Sequence, residues 1–68
     1  MKLTGDAKGM EELKYFHGNE GKKEYLRLIL NEAKTNTNFK TEFKDRTNTE
    51  RYSLVYNPVT SEFLVEKL

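Results

Sequence analysis

Few side chains in this sequence have the chemistry of a catalytic or metal site. There is no cysteine, and the serines, Ser53 and Ser61, lack the strand-to-helix elbow that activates a nucleophile. One histidine, His17, with scattered carboxylates does not supply the three or four ligands of a zinc site. The adjacent acids Glu11 and Glu12 are typical of a solvated helix face. The glycines match no phosphate-binding loop. The sequence therefore predicts that the protein is not an enzyme and has no cofactor, metal or small-molecule substrate.

Two groups of basic residues have the chemistry to bind nucleic acid. They are Lys22, Lys23 and Arg27 in one stretch and Lys40, Lys44 and Arg51 in another. A helix or a small sheet can carry such residues to phosphates and base edges. Glutamates lie among them, however, and a mixed surface dilutes the positive field. We therefore keep a weak DNA- or RNA-binding accessory domain as the alternative function.

Two tyrosines are candidates for contact with another protein. Tyr15 and Tyr25 flank the Gly18–Asn19 corner between two predicted helices. Tyrosine is enriched at protein interfaces because its ring is large and its hydroxyl is polar. Ordinary packing between the helices is the other explanation for this pair.

The helix that positions the first basic group is predicted over residues 20–35. Its apolar stripe is formed by Leu26, Ile29, Leu30 and Ala33 at helical spacing. Asn19 is the predicted N-cap, because its short polar side chain can accept from a free N–H of the first turn.

A shorter helix is predicted over residues 6–17. Met10, Leu13 and Phe16 share one side of it, and Gly18 is the predicted left-handed residue that ends it. Gly9 weakens this helix by roughly 1 kcal/mol relative to alanine. Residues 1–4 are open to another interpretation, as an edge strand.

The second half of the chain alternates apolar and polar residues, which predicts three strands over about 38–44, 51–56 and 62–68. The polar stretch 45–50 is the first turn, and Asn57–Pro58 begins the second. Placing Tyr56 opposite Phe63 sets the register of the last two strands.

The segment from Leu54 to Val65, with Asn57-Pro58 in its turn, resembles the second hairpin of the immunoglobulin-binding domains of streptococcal protein G. The resemblance covers about a fifth of the chain. It implies the geometry of a hairpin turn and nothing about function.

The predicted register separates a core face from an outer face. The core face gathers Phe39, Phe43, Tyr52, Leu54, Tyr56, Phe63 and Val65, and it faces the stripe of the second helix. The outer face is mostly charged but carries an apolar corner made of Val55, Leu64 and Leu68. Exposure of this corner is one interpretation, and cover by the first helix, a second copy or another protein is the other.

The whole sequence predicts one small domain over residues 1–68 with balanced charge. The chain has 68 residues, with 12 lysines and arginines against 11 acids, so neither a polyanion nor a polycation is indicated as partner. No apolar run is long enough for a membrane span, and the first residues do not resemble a secretory signal. We expect a cytoplasmic protein, of the small charged kind that is common in phages and mobile elements.

These observations predict an α+β fold with one or two N-terminal helices packed on a three-stranded antiparallel β-meander. The predicted function is that of a small non-enzymatic adaptor, which binds another protein or a second copy of itself through Val55, Leu64 and Leu68. The pattern names neither the partner nor the pathway.

Overall fold

The computed structural model describes residues 2–68, which form a four-stranded sheet with two helices on one of its faces. The elements in chain order are β1 (Lys2–Gly5), α1 (Ala7–His17), a short 3₁₀ helix (Glu20–Lys22), α2 (Lys23–Thr35), β2 (Lys40–Lys44), β3 (Arg51–Asn57) and β4 (Glu62–Lys67). The strand order is β1-β4-β3-β2. The predicted α+β class is confirmed, and both predicted helices are present.

The predicted three-stranded antiparallel meander is present as β2-β3-β4, but it is only part of a mixed sheet, because β1 adds a parallel edge strand to it. β1 runs alongside β4, from Lys2 opposite Glu62 to Gly5 opposite Val65. The sequence offers an edge strand over 1–4 only as an alternative to the first helix, whereas the structure has both; Met1 lies outside the described residues. Since the partner strand lies at the other end of the chain, local periodicity carries no sign of this pairing.

Helix α1 begins at a capping aspartate and lies close to the sheet. The Asp6 carboxylate accepts a hydrogen bond of 2.9 Å from the Gly9 amide. A Cβ on Gly9 would lie 2.4 Å from Cγ1 of Val65 and 3.0 Å from the Tyr52 ring. The residue that weakens the helix by propensity therefore permits its close approach to the sheet. Gly18 ends the helix with a φ of −85°, so the predicted left-handed glycine is wrong.

Helix α2 buries three of the four residues of the predicted apolar stripe, and the fourth, Leu30, is half-buried. Its buried side chains are Leu26, Ile29 and Ala33. The predicted cap, Asn19, serves the preceding 3₁₀ helix, where its side-chain oxygen accepts from the Gly21 amide at 3.0 Å. The α-helix therefore starts at Lys23, later than predicted. Across residues 2–68, no helix has the length and apolar character needed to cross a membrane.

The predicted register of the β3–β4 hairpin is confirmed. The cross-strand pairs include Tyr56 with Phe63, Val55 with Leu64, Leu54 with Val65 and Ser53 with Glu66. The Asn57 side chain accepts from the Val59 amide at 2.9 Å, and the Ser61 amide donates to the Asn57 carbonyl at 2.8 Å. These bonds close the turn and fix which residues face the helices.

The core lies between the helices and the inner sheet face. Its buried apolar side chains are Leu13, Phe16, Leu26, Ile29, Ala33, Phe43, Tyr52, Leu54, Phe63 and Val65. Two residues predicted for this core are less buried. Tyr56 is half-buried, and Phe39 is exposed at the margin, where its φ of 52° takes it out of the strand. Strand β2 therefore begins at Lys40.

Candidate functional site

One face of the sheet is left uncovered within the described chain. Both helices pack against the other face, so alternate residues of all four strands point away from the core. We call this uncovered surface the open face. Its residues are Lys2, Thr4, Lys40, Glu42, Lys44, Arg51, Ser53, Val55, Asn57, Glu62, Leu64, Glu66 and Leu68.

An apolar pair lies on the two central strands of the open face. Val55 on β3 is directly opposite Leu64 on β4, which is 40% exposed. Leu68 is 50% exposed. Leu68 follows Leu64 by four residues in the direction of β4, which places it about 13 Å away at about 3.3 Å per residue. The predicted apolar corner thus consists of a central pair and a separate leucine.

One polar residue of the open face, Ser53, is buried. Ser53 is only 2% exposed, although it points away from the helices. Its cross-strand neighbours are Glu42 on β2 and Glu66 on β4. The longer side chains around Ser53 therefore cover it, and the open face is charged at this position, next to the Val55–Leu64 pair.

Opposite charges are interleaved on this face. Nη1 of Arg51 lies 3.8 Å from Oε1 of Glu42, and Nζ of Lys2 lies 3.4 Å from Oε2 of Glu62. Such exposed pairs add little stability. They do leave the open face with a nearly balanced charge.

A second surface is an open cleft of about 430 Å³ between the start of α2 and the β2–β3 turn. We call it the basic cleft. Its lining residues are Phe16, Lys22, Tyr25, Lys44, Asp45, Arg46 and Asn48. Lys22 and Lys44 form no ion pair within residues 2–68. Both ammonium groups are therefore free to meet an anion.

Arg46 is held firmly in the wall of the basic cleft. Its backbone N–H donates to the Glu12 carboxylate at 2.7 Å, its Nε donates at 3.0 and 3.1 Å, and its Nη2 donates as well. The guanidinium carbon lies 3.9 Å from the centroid of the Tyr15 ring, a cation–π contact. The hydrogen bonds from the Arg46 side chain hold the pKa of Glu12 below its ordinary value, so this carboxyl is ionised at neutral pH.

Glu12 corrects the prediction of a solvated acidic helix face. It is 9% exposed and lies on the buried side of α1 with Gly9, Leu13 and Phe16. Their spacing along the helix is the sequence signal for its burial. Arg46 has no comparable signal, because it lies in a polar turn 34 positions away. Sequence reasoning therefore missed both members of this ion pair.

The two candidate tyrosines have different surroundings. Tyr15 packs 5.9 Å from Phe16 between ring centroids, carries Arg46 on its face, and accepts from Nδ2 of Asn19 at 3.2 Å. Tyr25 stands edge-on to Phe16 at 5.3 Å and is half-buried. Since Arg46 covers Tyr15, Tyr25 is the one that borders a surface open to a ligand.

The six basic residues predicted for nucleic-acid binding do not form one surface. Three of them pair with carboxylates, as Lys23–Glu20 (3.3 Å), Arg27–Glu24 (4.0 Å) and Arg51–Glu42 (3.8 Å). Lys40 lies at the opposite end of β2 from Lys44. Lys22 and Lys44 are the two that come together, in the basic cleft.

The remaining candidate for chemistry, His17, is exposed at the end of α1, beside a small groove that Leu3 and Leu30 also line. Residues 2–68 bring together no set of three or more His, Cys, Asp or Glu side chains that could hold a metal ion. The geometry thus directs attention to the open face and the basic cleft.

Comparison of the chain with protein-family models, with curated proteins and with solved structures found no match. The resemblance of residues 54–65 to the protein G hairpin therefore remains local to that hairpin. Function is inferred from the geometry of the described residues.

Proposed function

We propose that the chain is a small non-enzymatic adaptor domain that pairs with a second copy of itself through the open face. The observation that supports this is the position of the Val55–Leu64 pair, on the two central strands of a face that no helix covers. Protein interfaces concentrate apolar side chains at the centre and polar ones at the rim. The open face has this arrangement.

A two-fold axis would give each apolar residue a partner. An axis parallel to the strands, between β3 and β4, places β3 of one copy over β4 of the other. Val55 then meets Leu64 of the second copy, and Leu64 meets its Val55, as an isologous interface requires. Sheets stacked in this way lie about 10 Å apart, which lets their side chains interdigitate.

The charge pattern of the open face is compatible with the same axis. Because β3 and β4 exchange places across it, Arg51 comes to lie beside Glu66 and Leu68 of the second copy. Lys40 comes to lie over Thr4 at the opposite edge. A face with balanced charge suits a second copy with the same interleaved pattern better than it suits a uniformly charged partner.

The open face is small, so we expect the dimer to be weak. Four strands about 4.8 Å apart and about 18 Å long make a flat area of roughly 340 Å². A stable interface usually buries about 800 Å² on each partner. The association should therefore be reversible and depend on protein concentration.

Sedimentation velocity over a concentration series from micromolar to millimolar tests the proposal. The informative variant is Leu64→Lys, and Leu28→Lys is its matched control, since Leu28 is 54% exposed on α2 on the other side of the molecule. We expect the wild type and L28K to dimerise with rising concentration and L64K to stay monomeric. Circular dichroism melts should show both variants folded, because exposed substitutions usually change the unfolding free energy by less than about 0.5 kcal/mol.

Two outcomes would contradict pairing through the open face. One is a wild-type protein that stays monomeric up to millimolar concentration, which would leave a different protein as the occupant of this face. The other is an L64K variant that associates as well as L28K.

A further inference from the structure

The basic cleft places unpaired positive charge beside an accessible aromatic ring. Lys22 and Lys44 line it without any ion pair within residues 2–68, and the half-buried Tyr25 lines it as well. Phosphate groups bind where positive charge is not already neutralised. Unpaired bases stack on exposed aromatic rings. The cleft therefore offers free positive charge for the phosphates of a nucleotide chain and an aromatic ring for one of its bases.

Arg46 adds hydrogen-bond donors whose position is already fixed. Glu12 holds its Nε and Nη2, and Tyr15 supports the face of the guanidinium. Its Nη1 makes no hydrogen bond within residues 2–68, and the side chain is 44% exposed. A donor group that is ordered before binding loses little conformational freedom on contact with a ligand. Glu12 compensates the positive charge of Arg46. Arg46 therefore adds a hydrogen-bond donor of fixed direction to the cleft and little net charge.

Asp45 supplies a carboxylate to the cleft lining, and this carboxylate accepts hydrogen bonds from the β2–β3 turn. Asp45 accepts from the Thr49 amide at 2.9 Å and from the hydroxyls of Thr47 and Thr49 at 3.1 Å each. These bonds hold the β2–β3 turn in shape. The Asp45 carboxylate is thus engaged locally, whereas Lys22 and Lys44 are free.

A second depression of about 240 Å³ lies beside the basic cleft, at the edge of β2. Tyr25 and Lys44 line both depressions. Arg51 also lines the second depression, where it pairs with Glu42. We call these two depressions, which share a ring and a lysine, the trough.

We propose that this trough binds single-stranded nucleic acid. A base stacks on Tyr25, the flanking phosphates lie on Lys22 and Lys44, and Nη1 of Arg46 donates a further hydrogen bond. A duplex does not fit this mode, because paired bases present their edges and not their faces. The site does not include the Val55–Leu64 pair, although Lys44 and Arg51 of the trough also belong to the open face. Binding of a single strand therefore does not require the proposed dimer.

Fluorescence anisotropy with labelled oligothymidylate and oligouridylate of about 12 nucleotides tests the proposal. The cleft variant is Lys22→Gln with Lys44→Gln. Its matched control is Lys14→Gln with Lys34→Gln, which removes the same charge outside the cleft, next to the apolar groove and over the Tyr56 ring. A blunt duplex and a mononucleotide phosphate serve as competitors.

We expect the cleft variant to bind at least about tenfold more weakly at low salt, while the control stays within about twofold of the wild type. Each lost phosphate contact reduces the slope of log K against log salt by about 0.7 for single strands, so the cleft variant should lose about 1.4 of that slope. Tyr25→Leu should weaken binding by about tenfold with the slope unchanged, because stacking carries no ionic contact.

Amide chemical shifts of the wild type provide a measurement that needs no variant. We expect the oligonucleotide to shift residues 22–25 and 44–48 and to leave Val55 and Leu64 unchanged. Four results would overturn the proposal: no binding at low salt, equal losses in the cleft and control variants, equal competition by the duplex, or a mononucleotide that competes as well as the oligomer.

Discussion

At the scale of single residues, the Glu12–Arg46 pair organises the most distinctive part of the surface. A carboxylate that is 9% exposed is costly unless donors surround it. Arg46 supplies these donors from both its backbone and its side chain. The pair therefore ties the β2–β3 turn to α1 and, through the same bonds, fixes the guanidinium in the basic cleft.

Replacing Glu12 with glutamine keeps the shape of the side chain and removes its charge. We expect Glu12→Gln to lower the unfolding free energy by about 1.5 kcal/mol at pH 7, the lower end of the range for hydrogen bonds to charged groups, because Arg46 is partly exposed. Urea denaturation followed by circular dichroism measures it. Glu11→Gln is the control, because Glu11 is exposed and its change should stay within about 0.5 kcal/mol.

The same pair predicts a pH dependence. Hydrogen bonds from Arg46 lower the pKa of Glu12 in the folded protein. Its contribution to stability is thus fully present above the unfolded pKa, about 4.3, and is lost as the pH falls through the lower folded value. We expect the stability difference between the wild type and E12Q to shrink below about pH 4. A difference that stays constant down to pH 2 would contradict this account.

At the scale of elements, the distance between α1 and the sheet is set by Gly9. Helix propensity alone favours alanine by roughly 1 kcal/mol. A Cβ at this position would, however, lie 2.4 Å from Cγ1 of Val65. We therefore expect Gly9→Ala to destabilise the protein by about 1–3 kcal/mol, as overpacking does.

Gly18 provides the control for that experiment, since a Cβ there would have its nearest contact at 3.6 Å and the φ is −85°. Gly18→Ala should leave the stability unchanged within about 0.5 kcal/mol or raise it slightly. Thermal melts of the two variants compare them directly. If G9A proved as stable as G18A, the close approach of α1 would not be a constraint.

Elements with local signals were predictable from the sequence, and elements defined by distant contacts were not. The stripe of α2 and the β3–β4 register follow from spacing and turn chemistry, both of which are local. β1 depends on a parallel pairing with the other end of the chain. The start of β2 depends on the left-handed backbone at Phe39, an aromatic residue for which alternation predicts an ordinary strand.

The candidate surfaces could likewise be predicted where the sequence signal is local and not where they depend on distant contacts. Alternation alone places Val55, Leu64 and Leu68 on the outer face, but the structure separates Leu68 from the other two. The basic cleft joins Lys22, Tyr25, Lys44 and Arg46 from three parts of the chain. No spacing rule connects residues that meet only after the β2–β3 turn has packed against the helices.

At the scale of the whole molecule, both helices lie on one side of the sheet, and the described residues leave the other side uncovered. A chain of 68 residues buries only about 60% of its unfolded surface, so cover over the open face would add to a small core. If the proposed dimer forms, mass action makes the folded state more stable as protein concentration rises. We expect the melting temperature of the wild type and L28K to increase with concentration in calorimetry, and that of L64K to stay constant.

The most direct test of pairing through the open face is an isotope-filtered NOE experiment on a mixture of labelled and unlabelled protein, at a concentration where sedimentation shows dimers. The proposed axis predicts intermolecular NOEs between the methyl groups of Val55 in one copy and Leu64 in the other. Intermolecular NOEs that arise from Leu28 or from the helices, with none from Val55 and Leu64, would contradict it.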